Sequence, residues 1–225
     1  MSARVDHLVV AAASLEQGVA WCEATLGVMP APGGEHLLMG THNRLLRIAT
    51  VDYPRAYLEI IAVQPGRHPQ RGRRWFDLDD EAVRDKLAQG GPRLLHFVAS
   101  VPDVQAAVQA WSGLGIRRGT PTAASRMTPR GLLEWQVTLR DDGQRLFDGV
   151  LPTLIEWGQV HPASALPESG VTLQSLAIAH PQTETLRAAC EAVGLQGVAV
   201  KEGRANLCAV LETPKGRRKL ASEGL

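Results

Sequence analysis

Residues 5–28 read VDHLVVAAASLEQGVAWCEATLGV, and the same outline returns at 94–116 (LLHFVASVPDVQAAVQAWSGLGI) and at 173–196 (LQSLAIAHPQTETLRAACEAVGLQ). Each copy is a short apolar strand, a polar turn, an amphipathic helix and a Leu-Gly or Val-Gly stop. A repeat of this kind decides the architecture before any single residue does. The first strand carries His7, the second carries His96 in the corresponding place, and the third has Ser175 there.

Around the first copy, Ser14 caps a helix with Gln17 three residues on, a capping-box spacing, and Gly27 ends it. GGEHLLMGTHNRLLRIA (33–49) breaks into two short strands around Gly40, and AYLEIIAV (56–63) makes a third. Residues 4–63 therefore form one curved β-α-β-β-β unit. Residues 64–92 interrupt the pattern with a loop rich in Pro, Gly and Arg, in which Arg71–Arg74 read as solvated charge, and with a short capped helix. A second unit spans 93–158: strand, helix from Asp103 to Leu114, a loop through TPTAASRMTPRG, strand LLEWQVTLR, a DDG turn, and strand TLIEWG. A proline-rich linker follows. Residues 171–213 give a partial third unit that ends on NLCAVLET. The class is α+β.

The chain has 225 residues, 24 Lys and Arg against 23 Asp and Glu, and a net charge of +1, so it carries no electrostatic footprint for nucleic acid. No run of apolar residues approaches the ~20 of a membrane span, and no signal-peptide pattern opens the chain, so a cytoplasmic protein is expected. Three scattered cysteines are expected to be buried, reduced thiols.

The chemistry lies in two strand pairs. His7 goes with Glu59 in YLEIIAV, and His96 with Glu156 in TLIEW. Glu59 has apolar neighbours on both faces of its strand, so it is no solvated edge residue. A buried, unpaired carboxylate costs several kcal/mol or protonates. Two imidazoles and two carboxylates in such places are what a divalent ion would compensate.

The segments DHLVV, YLEIIAV, LLHFVAS and TLIEWG, in this order over two β-α-β-β-β units, resemble the vicinal oxygen chelate superfamily of glyoxalase I and the extradiol dioxygenases. GTHNRLL and SRMTPRGLLEWQVTL resemble its glyoxalase-like branch. The resemblance covers residues 4–157 and is weak over the tail. It implies paired units curled into a half-open barrel. Inside, it implies a divalent metal (zinc, nickel, cobalt, manganese or iron) on His7, Glu59, His96 and Glu156, with Glu59 or Glu156 leaving the ion to act as the base.

Arg126 and Arg130 flank the implied barrel mouth, where an arginine either holds a substrate carboxylate bidentately or is surface charge. Trp135 either walls the pocket or fills the core. His42 and Asn43 either order a turn or reach the substrate, while His161 and His180, each before a proline, read as turn residues. The function expected is that of a metal-dependent lyase or isomerase acting on a small molecule with adjacent oxygens, through an enediolate-like intermediate. The alternatives are a metal-free binding protein of the same fold and an extradiol-type dioxygenase. The partner is a small molecule, and a second copy of the chain is one way to cover the sheet edge that the partial third unit leaves.

Overall fold

The computed structural model describes residues 2–70, 72–128 and 131–223. The first unit runs β1 (Arg4–Ala11), α1 (Leu15–Leu26), β2 (Ala31–His36), β3 (Thr41–Arg47) and β4 (Tyr57–Val63). After α2 (Glu81–Gly90), the second runs β5 (Arg93–Ser100), α3 (Val104–Gly113), β6 (Thr120–Thr128), β7 (Gly131–Leu139) and β8 (Thr153–Trp157). Their strands make one curled eight-stranded sheet in the order β2-β3-β4-β1-β5-β8-β7-β6. The two first strands pair antiparallel at its centre, and each has its own unit's last strand parallel on the outer side.

Local chemistry sets the helix ends. The Gln17 N–H donates to Ser14 Oγ at 3.2 Å while Gln17 Oε1 accepts from the Ala13 N–H at 3.0 Å, and Gly27 closes α1 at φ 81°. Asp103 caps α3 by accepting from the Ala106 N–H at 2.9 Å.

One stretch departs from its sequence reading. TPTAASRMTPRG, expected as a loop, supplies β6, an edge strand paired along its length with β7. Its residues alternate between half-buried and exposed without an apolar face, so no hydrophobic period marks it. Arg130 and Arg71 lie outside the described residues.

The tail forms a second sheet from β9 (Thr172–Ala179), β10 (Val198–Lys201), β11 (Asn206–Glu212) and β12 (Arg218–Ala221), with α4 (Thr183–Val193) between β9 and β10. It repeats the opening strand and helix of a unit and then takes its own order, β10-β9-β11-β12. The strand after its helix pairs parallel with its first strand, a place that β4 and β8 hold in the full units.

One face of the main sheet (Leu8, Val10, Leu58, Ile60 and Phe97) shares a single core with tail residues such as Leu173, Ile178, Leu186 and Leu207. Trp111 of α3 is fully buried there, and its Nε1–H donates to Ala189 O at 2.8 Å. Each large apolar side chain buried this way contributes about 1.5–3 kcal/mol. The tail's sheet is thus packed by its face on the main sheet, one of the two arrangements expected for it. Cys22 and Cys190 sit in this core, where burial pushes their thiols up to about 12 and about 11.

The opposite, concave face packs Val9, Ile61 and Val98 against Val83 and Leu87 of α2 and against Phe76. The site lies on this face. Among the described residues no helix is long and apolar enough to cross a membrane.

Candidate functional site

The two units are related by a local two-fold centred on Leu8 and Phe97, which pair with each other. Its register identifies counterparts without reference to residue type. His7 pairs with Val98 and Val9 with His96, so the two histidines correspond. Val9 lies opposite Glu59, and Val98 lies opposite Thr153. The counterpart of Glu59 is therefore Thr153, not Glu156. Glu156 is three residues further along β8 and on the other face, where its Oε2 accepts from the Val104 N–H at 2.8 Å and caps α3. In a strand of period two, an odd slip reverses the face.

On the first unit's side, β1 bulges at Asp6, since its register against β5 shifts between Val5 and His7. Bulges re-aim side chains. Here Asp6 and His7 meet, with His7 Nδ1 2.7 Å from Asp6 Oδ1. The buried Asp6 carboxylate also accepts from Trp157 Nε1 at 2.9 Å and from His161 Nε2 at 3.0 Å. Burial alone would raise its pKa, but the hydrogen bonds from His161 and His7 outweigh that and hold it well below the usual carboxylate range. With Nδ1 engaged by Asp6, His7 turns its Nε2 toward Glu59, 3.7 Å from its Oε2. Tyr57 stacks on the His7 ring at 4.5 Å and fixes its plane.

Glu59 is buried, and its Oε1 accepts from Asn43 Nδ2 at 2.6 Å. Asn43 is oriented by the Gly34 N–H, which donates to its Oδ1 at 2.7 Å. His36 completes the group: Nε2 lies 3.2 Å from Asn43 Nδ2 and 3.6 Å from Glu59 Oε1, and Nδ1 lies 3.0 Å from Thr41 Oγ1. Burial, followed by the Arg126 charge, pushes His36 down to about 4 against the pull of Glu59, so it is neutral.

The second unit's side is spent on structure. His96 is fully buried; its Nδ1–H donates to Gly149 O at 2.8 Å and its Nε2 accepts from the Thr153 N–H at 3.1 Å. The Arg118 guanidinium stands 3.4 Å from the same Nε2, donates to Thr153 Oγ1, and donates from Nε to Pro152 O at 2.8 Å. Burial and this neighbouring charge hold His96 well below the ordinary histidine range. Burial brings Arg118 itself down to about 9.

These facts decide the fit of the expected divalent ion. Of its four donors only His7 and Glu59 face the cavity. His96 has both ring nitrogens engaged, Glu156 points away, and a buried guanidinium stands where a second cation would be repelled. Among the described residues no three His, Cys, Asp or Glu side chains group as metal ligands. The residues present do not fit the four-donor ion.

The substrate-side residues divide as well. Asn43 lines the cavity, whereas His42 lies on the opposite face of β3 and does not. Trp135 lines the cavity, with its ring 5.7 Å from that of Trp157. Arg126 reaches in from β6, and its Nε and Nη1 are buried without a hydrogen-bond partner. It lies against Gly34 of β2, so the two edge strands of the curled sheet meet there; any side chain at Gly34 would fall on the guanidinium. The inner cavity is small, about 50 Å³. Beyond Arg126, Trp75 and Trp135 lies an outer cleft of about 280 Å³.

The sequence reading passed over Asp6, His36 and the second role of His161, which caps its turn by accepting from the Ala163 N–H at 3.1 Å and also holds Asp6. One signal for His36 was available. In a hairpin turning at Gly40 it falls opposite Thr41, on the face of Asn43.

The profile of the glyoxalase-like domain family matches residues 5–194. No curated protein matches the sequence. Among solved structures, a hypothetical protein from Staphylococcus aureus aligns over 90% of this chain and 87% of its own, at 12% identity and a TM-score of 0.60. A variant of the Streptomyces coelicolor methylmalonyl-CoA epimerase in complex with 2-nitronate-propionyl-CoA aligns over 70% and 96%, at 22% identity and a TM-score of 0.42. The methylmalonyl-CoA epimerase of Mycobacterium tuberculosis aligns over 72% and 91%, at 16% identity and 0.38. At 12% identity the likeness to the first of these is one of fold.

Proposed function

The chain belongs to the glyoxalase-like domain family of the vicinal oxygen chelate superfamily, and we propose that its cavity binds a small organic acid and moves a proton on the carbon beside the carboxylate, as an isomerase or lyase does. Arg126 carries this reading. A guanidinium whose Nε and Nη1 are buried and unpartnered costs several kcal/mol, which hydrogen bonds from these nitrogens to a substrate carboxylate would offset. The chamber it faces holds a carboxylate base.

The roles follow from position. Arg126 takes the substrate carboxylate. Glu59, fixed by Asn43, receives the proton from the α-carbon, and the electron pair of the broken C–H bond passes into the adjacent carboxyl or carbonyl as an enolate beside Arg126. The Nε2 of His7, whose ring is held through Nδ1 by Asp6, relays the proton between Glu59 and carbon. The narrow chamber excludes bulk water.

The test is exchange of the α-proton with deuterated water, followed by NMR across a panel of 2-hydroxy and 2-oxo acids. Glu59→Gln should slow exchange at least a hundredfold and keep binding, and Arg126→Gln should lose binding. Equal exchange in wild type and Glu59→Gln refutes the base. A second reading, a protein that binds the acid without turning it over, is favoured by the closure of the mouth where Arg126 abuts Gly34. Saturable binding with no exchange would select it.

A further inference from the structure

Resting on the reading of Arg126 as the carboxylate anchor, we infer that the bound acid is an amphiphilic monocarboxylate whose hydrocarbon tail lies in the outer cleft. The two spaces are continuous in their walls: His36, Trp75, Arg126, Trp135 and Val137 line both. Arg126 stands at that partition with its unpaired nitrogens. An acid held there has room on the inner side for only a few non-hydrogen atoms, in about 50 Å³. Its remaining substituent must leave through the outer cleft, which is more than five times as large.

The cleft's chemistry names that substituent. Its walls are Leu37, Met39, Leu139 and the two indoles of Trp75 and Trp135. Leu37 is 57% exposed at the rim, a large apolar side chain in water unless something covers it. Among the described residues the cleft's lining contains one cation, Arg126, and one carboxylate, Glu35. That balance disfavours a second anionic group, so a dicarboxylate or a phosphate-bearing tail fits poorly, and an uncharged tail of several carbons fits.

The probe is the straight-chain monocarboxylate series from acetate to octanoate, titrated against the full chain by tryptophan fluorescence, with the matching primary alcohols and amines as controls. Affinity should rise about fourfold per methylene, the equivalent of about 0.8 kcal/mol. Leu37→Glu should weaken octanoate at least tenfold and leave propionate unchanged. Arg126→Gln should erase the preference for the acid over the alcohol of equal length. A series that is flat with length but still needs Arg126 overturns the tail and leaves the anchor standing. A series that rises equally for acids, alcohols and amines overturns the anchor. No binding of any length at millimolar concentration overturns both.

Discussion

Replacing Asp6 by Asn changes one oxygen and reverses the chemistry of a buried carboxylate held by several side chains. Three donors converge on Asp6: His7 Nδ1, His161 Nε2 and Trp157 Nε1. An indole N–H can only donate, and His161 Nδ1 already accepts from Ala163, so its Nε2 carries the hydrogen. The new amide must then turn its oxygen to those two and its NH2 to His7. His7 is driven to the other tautomer, and the Nε2 facing Glu59 changes from acceptor to donor. A hydrogen bond to a charged group contributes about 1.5–3 kcal/mol and a neutral one about 0.5–1.5. Two bonds so weakened cost about 2–3 kcal/mol by the same scale.

Urea denaturation at pH 7 measures this cost, and nitrogen-15 NMR of the histidine rings reports the tautomer. The pH dependence has a definite sign. Because the folded Asp6 carboxyl is held below its unfolded value of about 3.9, its stabilisation is complete above that value. It is lost as pH falls through the lower folded one. The stability gap between wild type and Asp6→Asn should therefore be constant from neutral pH to about 5 and narrow below about 4. A variant within ~0.5 kcal/mol of wild type at pH 7, or a His7 tautomer left unchanged, refutes the argument.

Gly34→Ala places a methyl on the Arg126 guanidinium, so carboxylate binding should fall at least tenfold in a protein that still melts cooperatively. Glu156→Ala removes a helix cap and should cost about 1 kcal/mol in thermal denaturation, with α-proton exchange unchanged. Zinc, cobalt, nickel, manganese or iron(II) should leave the melting temperature where it is, whereas an ion present at a hundred times its Kd would add about 2.7 kcal/mol. Truncation after Ala165 removes Leu173, Ile178, Leu186 and Leu207 from the core they share with the main sheet and uncovers Trp111. At about 1.5–3 kcal/mol per side chain the loss matches a typical total stability of about 5–15, so a folded truncated chain in solution would contradict the shared core.

The fold was legible in the sequence because its repeat carries both kinds of periodicity. Strand alternation and helix caps at Ser14 and Asp103 stand in the open. β6 was hidden because an edge strand closing a barrel mouth buries too little to need an apolar face. Half of the candidate site was legible for a similar reason. Glu59 betrays itself by sitting charged between two apolar faces, and His7 by breaking the first strand. The other half was misread through residue identity, since Glu156 resembles Glu59 in its strand and only the register with β5 reveals Thr153 as the counterpart. The length of the connection before β8 sets that register, and no pattern in β8 itself encodes it.

The same register exposes an asymmetry of charge. Asp6, His7 and Glu59 of the first unit have Leu95, His96 and Thr153 as their counterparts, so both carboxylates are confined to one half. Arg118, behind Thr153, and Arg126, at the mouth, come from the other. On the proposed reading, an acid entering this field is drawn carboxylate-first toward Arg126 and presents its α-carbon to Glu59. On the proposed reaction, proton transfer neutralises Glu59 and moves its negative charge onto the substrate, toward the cationic half. The dipoles and charges on that side are already fixed by folding, through Pro152 O, Thr153 Oγ1 and the ring of His96. They need no rearrangement as the charge arrives, which is the preorganisation that the proposed reaction would draw on. A divalent ion between the units would meet Arg118 on the side where its missing ligands should be, so the arrangement that disfavours the ion is the one that would favour the proposed enolate.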